Sequence, residues 1–256
     1  MIQSCRFEYK FLIPEFTARR IASELRPFMR LDSWLKGTGK TSYIVSSVYL
    51  DSPRLHCYEA VDQGARNRFK LRMRWYGKEL ADPVFLEEKR RTGEGIRKIR
   101  IPVERTGALA LLEGCTLSSS LLLGGSGSKR ASGELLMQRI RSLGAIPSCI
   151  VCYDREAWES PVEKGLRVTF DRDLVASTVR TTVHDGTPAS IPRGQTILEI
   201  KFQDRVPEWL SSLVRRYNLA RCSVPKYVMC VDALRSVGHG VPMLPARLPG
   251  MGRTVS

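Results

Sequence analysis

Histidine is scarce: His56, His184 and His239 are the three in 256 residues, and their spacing fits no metal-binding pattern. No run approaches the roughly 18 apolar residues of a membrane helix, so no membrane span is expected. The opening MIQSCRFEYK carries charge within its first ten residues and lacks a long apolar core, which predicts no secretory signal and a cytoplasmic location. Seven cysteines form an odd set with one C-x-x-C, Cys149 to Cys152, and no second pair. On a strand those two thiols face opposite ways, which argues against zinc or redox chemistry and for reduced, buried thiols. A phosphate-binding loop is missing too: GTGKTS at 37–42 has Trp34 where the motif needs glycine, and it precedes a strand instead of following one. No catalytic triad is evident. The last scarcity is acid, with 26 Asp and Glu against 41 Lys and Arg. The resulting charge of +15 points to an anionic partner.

What is present is a period of two in charge. Strands are expected at about 5–13, 43–51, 66–76, 83–91, 96–103, 148–157, 165–171 and 196–202. Helices are expected at 14–29, within 106–144, at 206–217 and from about 223. LGGSGSKRASG predicts a flexible connector near 123–133, and the stretch 238–256 a loose tail. Residues 1–237 are expected to make one domain. In these strands charged or polar residues recur at every second position: Arg6, Glu8 and Lys10; Lys70, Arg72 and Arg74; Glu87, Lys89 and Arg91; Lys98 and Arg100; Arg167, Thr169 and Asp171; Glu199 and Lys201. Tyr153 and Arg155 likewise share a face. Side chains two apart on a strand point the same way, so each segment divides into a charged face and another that is mostly apolar. The strand expected at 83–91 is charged on both faces, Glu87, Lys89 and Arg91 alternating with Leu86, Glu88 and Arg90, which leaves its orientation open.

A sheet with one solvated basic face would explain any single strand. Repetition over seven of the eight expected strands favours an α+β fold built on an eight-stranded antiparallel β-barrel with flanking helices, whose closed interior the charged residues line. So many cations in one interior repel unless an anion is bound. Phosphate chains suit them, since Arg binds phosphate in a bidentate fork and Lys as a movable charge. The inward carboxylates Glu8, Glu87 and Glu199 suit Mg²⁺ or Mn²⁺, which share oxygen ligands with phosphates. Each could instead be the ion-pair partner of a neighbouring cation.

The segments RFEYKFLI, SSVYLDSP, FKLRMRWYG, FLEEKRR with IRKIRIP, YDREAW, LRVTFD, ILEIKF and SVPKY run in order from Arg6 to about Leu234. Together they resemble the polyphosphate polymerase (VTC) domain family of the triphosphate tunnel metalloenzyme (CYTH-like) superfamily. The resemblance implies an ATP-polyphosphate phosphotransferase that uses Mn²⁺ or Mg²⁺, with ATP and polyphosphate as its partners. It implies that Lys10, Arg72, Arg74, Lys89, Lys98, Arg155, Arg167 and Lys226 bind phosphates, that Tyr153 hydrogen-bonds one, and that Glu199 holds the metal. Lys10, Arg72, Arg74, Lys89 and Glu199 are expected to carry catalysis. The alternation adds Lys70, Arg100 and Lys201 as substrate contacts and Glu8 as a second metal carboxylate. Arg6 stands where hydrolytic relatives carry the first Glu of ExExK, which favours polymerase over triphosphatase; a triphosphatase on the same fold stays open. Nucleic acid is not expected, because Phe69 and Trp75 alternate away from the cations, whereas base stacking needs both on one face.

Overall fold

Alternation decides the strands, and helical spacing decides what covers them. In the computed structural model of the chain, residues 7–93, 95–113, 128–179, 187–188 and 194–238 are described. Arg6, the expected connector as far as residue 127, His184 and the expected tail from residue 239, with His239, lie outside the described residues.

The elements run β1 (Phe7–Pro14), α1 (Glu15–Leu25), β2 (Arg30–Leu31), a 3-10 turn (Ser33–Leu35), β3 (Tyr43–Asp51), α2 (His56–Asp62), β4 (Arg68–Tyr76), β5 (Val84–Thr92) and β6 (Gly95–Val103). They continue with α3 (Arg105–Leu112), α4 (Ser128–Leu143), β7 (Ile146–Glu159), β8 (Arg167–Ser177), β9 (Thr187–Pro188), β10 (Gln195–Phe202), α5 (Glu208–Arg216) and α6 (Lys226–Ser236). Residues 128–133, assigned by composition to the connector, form the first turns of α4. The short α2 has no counterpart in the sequence reading.

The strands hydrogen-bond in the order β1-β10-β8-β7-β3-β4-β5-β6, with β2 added on β7 and β9 on β8. The expected closed barrel is therefore incorrect: among the described residues the path of hydrogen-bonded strands ends at β1 on one side and at β6 on the other. A physical reason lies at β1. Its edge away from β10 is taken by a bridge from Phe11 to Arg221 and by the Cys222 N–H, which donates to the Lys10 carbonyl at 2.9 Å. Among the described residues β6 pairs with β5 alone. Its exposed Arg97, Lys98 and Arg100 are the kind of charge that blunts an open edge.

The described residues fall into two compact units. One draws on Met1–Ile44, Tyr153–Leu174 and Ile191–Pro225, the other on Val45–Cys152, Val175–Ser190 and from Lys226 onward. Each has its own apolar core. In the first, Phe11 and Ile13 of β1, Leu198 and Ile200 of β10, and Val168 and Phe170 of β8 pack with Ala18, Ile21, Ala22 and Leu25 of α1. Pro14 enters α1 with φ −57°, a value its ring imposes, and the buried positions then recur at helical spacing. In the second, Leu71 and Met73 of β4, Leu86 of β5 and Ile99 and Ile101 of β6 pack with Ala108 and Leu111 of α3 and Leu136, Met137 and Ile140 of α4.

The ambiguous strand β5 is settled by its neighbours. Leu86 and Glu88 face the helices, where Glu88 pairs with Arg139 of α4 and with Arg90, and so Glu87 and Lys89 face the other way. The tight turn out of β5 needs a left-handed residue, which Gly93 supplies at φ 59°. That turn fixes a register in which Lys89 lies opposite Lys98 and Glu87 opposite Arg100. Leu86 is fully buried, so Leu86→Ala should lower stability by about 2–5 kcal/mol in urea unfolding.

Candidate functional sites on two charged sheet faces

In the second unit, the registers of β4, β5 and β6 align side chains into rows. Lys70, Lys89 and Lys98 form one row, Arg72, Glu87 and Arg100 the next, and Arg74, Phe85 and Pro102 a third. Six of the residues expected at the site thus share one face. Glu87, 1% exposed, sits among them. Its carboxylate lies 2.6 Å from Arg72 Nη2, 2.8 Å from Lys98 Nζ and 3.5 Å from Arg100 Nε. Burial acts to raise the Glu87 pKa, but Arg72, Arg74 and Lys98 outweigh it and hold the carboxyl well below its ordinary range. Glu87 is therefore an internal counter-ion.

The arginines are also held by neutral groups. Arg72 donates to Tyr49 Oη at 3.4 Å and Arg74 to Ser47 Oγ at 3.1 Å. Arg100 donates to Tyr76 Oη at 3.0 Å and its guanidinium stacks 3.7 Å from the Phe85 ring centroid. Tyr76 and Phe85 are thus aromatics on the cationic face, which the sequence argument about Phe69 and Trp75 overlooked. Arg100 covers one face of the Phe85 ring. Lys226 is half-buried at the start of α6, beside Tyr227, whose ring stacks on Tyr49 at 4.5 Å. Tyr227 donates to Asp51 Oδ2 at 2.7 Å, which anchors that stack.

In the first unit the pattern is a checkerboard. Glu8, Lys201 and Arg167 align across β1, β10 and β8, and beside them Lys10, Glu199 and Thr169. Lys10 Nζ lies 2.8 Å from Glu8 Oε1 and 3.6 Å from Glu199 Oε2, and Lys201 pairs with Glu199 Oε1. Arg155 of β7 grips Asp171 of β8 with Nε and Nη2 at 2.6 and 2.8 Å, and its guanidinium lies 5.1 Å from the Tyr153 ring centroid. Burial disfavours the Arg155 charge, yet Asp171 overcomes this and raises its pKa. Arg167 pairs with Asp32 and Glu159 and donates to Tyr43 Oη at 3.1 Å.

Alternation correctly put Arg167 and Asp171 on one face. The pairing partners Asp32, Glu159 and Asp171 were missed, because nothing local in the sequence reports the register between distant strands. Asp32 is the least legible, since it precedes a 3-10 turn and reaches Arg167 only through the fold.

No group of three or more His, Cys, Asp and Glu that could hold a metal ion occurs among the described residues. The donor chemistry of Glu8 and Glu199 still fits Mg²⁺ or Mn²⁺. One cationic group, the Lys10 ammonium, already lies between the two carboxylates, so both can converge on a cation. Mg²⁺ needs only one or two carboxylates where phosphate oxygens and water supply the rest.

Two outcomes test whether the face around Glu87 takes an anion. Removing one partner of a buried pair costs as much as about 3–5 kcal/mol, less here because Lys98 and Arg100 remain partly in water. Glu87→Ala should therefore melt at a lower temperature than wild type, and tripolyphosphate should raise the variant's Tm by more than it raises that of wild type. An equal rise would show that the cations around Glu87 do not take phosphate. Lys98 gives the pH dependence. Loss of water around its ammonium has the largest effect and brings its pKa down to about 8, with Arg72 and Arg100 adding to the fall and Glu87 opposing it. A bound anion favours the charged ammonium, so binding takes up a proton at alkaline pH and affinity weakens as pH rises from about 7 to 9. Calorimetry in buffers of different ionisation enthalpy should detect that uptake, and Lys98→Arg should reduce it.

A protein-family model described as the VTC domain matches residues 5–235. Vacuolar transporter chaperone complex subunit 4 of Schizosaccharomyces pombe is 24% identical over 249 residues, covering 81% of this chain and 34% of its own length. The protein of the same description from Trypanosoma brucei brucei is 26% identical over 242 residues, covering 80% of this chain and 30% of its own. The chain thus spans about a third of the length of these relatives. A solved structure from Bacillus halodurans, described as a candidate adenylate cyclase, shares the fold at a TM-score of 0.50 with 14% identity, covering 88% of this chain and 95% of that one. With the family model matching nearly the whole described chain, this protein belongs to the VTC domain family.

Proposed function

We propose that this protein is a metal-dependent phosphotransferase that moves the terminal phosphoryl group of ATP onto a polyphosphate chain. The observation that carries the reading is the in-register row of Lys70, Lys89 and Lys98 beside the row of Arg72, Glu87 and Arg100. Like charges directly opposite one another across strands are destabilising. Three adjacent lysines on a face that also carries three arginines form a surface on which a run of phosphates replaces repulsion with charge-assisted hydrogen bonds. A monophosphate could not span such a row.

Phosphoryl transfer asks a protein mainly to position the reactants and to neutralise charge on the transferred group. Lys70, Lys89 and Lys98 hold successive phosphates, while Arg72, Arg74 and Arg100, braced by Tyr49, Ser47 and Tyr76, keep fixed orientations. In the first unit Glu8 and Glu199 would hold Mg²⁺ or Mn²⁺, whose contribution is to neutralise charge on phosphate oxygens. Lys10 and Lys201 on that same face would add cationic donors for phosphate. No side chain is required as a nucleophile, because the acceptor is the polyphosphate end itself. The names of the two curated relatives support a link to a vacuolar chaperone complex. Their names alone do not specify a reaction.

Purified protein given ATP and Mn²⁺ should build a ladder of products that stains for polyphosphate on a gel. Arg72→Ala should lower that turnover at least 100-fold while far-UV circular dichroism stays unchanged. Free phosphate without polymer would replace this reading with triphosphate hydrolysis. Salt-sensitive DNA binding without turnover would replace it with a nucleic-acid partner.

A further inference from the structure

On the checkerboard face of the first unit, Thr169 is out of place. It is 1% exposed, and its hydroxyl has no hydrogen-bond partner among the described residues. A buried hydroxyl left unpaired is destabilising, whereas valine of nearly the same shape would leave nothing unpaired. Such an orphan in a native structure calls for an explanation.

The sheet register supplies one. Thr169 lies directly opposite Glu199 across β8 and β10, and directly opposed residues share a face with their Cβ atoms about 4.5–5.5 Å apart. Asp171, two residues along the same strand, is gripped by Arg155 at 2.6 and 2.8 Å. Glu199 is 4% exposed, held on one oxygen by Lys201 and reached on the other by Lys10 at 3.6 Å. A carboxylate accepts several hydrogen bonds, so Glu199 can take one more donor when its lysine contacts change.

We propose that Thr169 is a positioning residue for Glu199: when a divalent cation displaces Lys10 from between Glu8 and Glu199, the Thr169 hydroxyl donates to the Glu199 carboxylate and fixes its orientation toward the ion. This rests on Glu199 being a metal ligand, as in the proposed function. Hydrogen bonds of this kind to a liganding group commonly set metal affinity by 10–100-fold.

The test uses the full chain and Mn²⁺ alone, with binding followed by electron paramagnetic resonance. Thr169→Val should weaken Mn²⁺ binding about tenfold, and Thr169→Ser, which keeps the hydroxyl, should restore it. Tripolyphosphate binding without metal, measured by calorimetry, should be the same in all three proteins, which also reports that the valine variant is folded. Wild-type Mn²⁺ affinity in Thr169→Val, with Glu199→Gln abolishing binding, would overturn the positioning role and leave Glu199 as ligand. Loss of tripolyphosphate binding in Thr169→Val with Mn²⁺ binding intact would overturn it in favour of direct contact with phosphate. Absence of Mn²⁺ binding by the wild-type protein would overturn the metal reading of Glu199 and this inference together.

Discussion

Crowded positive charge governs how this protein is built. Two like charges 4 Å apart cost about 4 kcal/mol at an effective dielectric of 20, and the β4–β6 face sets six cations in three adjacent rows. The face is tolerable because Glu87 sits in the middle row and reaches Arg72, Lys98 and Arg100 at once. The first unit solves the same problem differently. There the buried Arg155 is matched by Asp171 and the half-buried Arg167 by Asp32 and Glu159, and the lysines alternate with glutamates across the strands.

The apolar faces make that charge arrangement possible. A strand whose alternate residues are Leu71 and Met73, or Leu198 and Ile200, is pinned in orientation by its core. A one-residue slip would expose every one of those side chains and bury the cations. Glu88 is the exception that shows the rule, since it points to the helix side of β5 and is 1% exposed. It is acceptable there because Arg139 of α4 and Arg90 pair with it. Rigid strands in turn hold the charged groups in fixed rows, which is what positioning chemistry requires.

Much of this was legible from residue order. The period of two located the eight long strands and separated Lys70, Arg72 and Arg74 from Leu71, Met73 and Trp75. The order of the motifs pointed to the VTC family. The reading failed where the answer lay between strands far apart in the chain. It expected a barrel, but residues 221–222 occupy the β1 edge. It left the direction of β5 open, and packing against α4 resolved it. It also missed Tyr76 and Phe85 as aromatics on the cationic face.

Residue order alone was enough to show which side chains can share a face, because alternation is a property of a single strand and needs no partner. It determined the family as well, since that rests on the identity and order of residues. The fold alone settled which acid neutralises which cation, whether the sheet closes, and that the Thr169 hydroxyl is left without a partner among the described residues. Those are matters of register and of edge occupancy, and both are set by contacts between segments as far apart as Asp32 and Arg167, whose proximity no local pattern encodes.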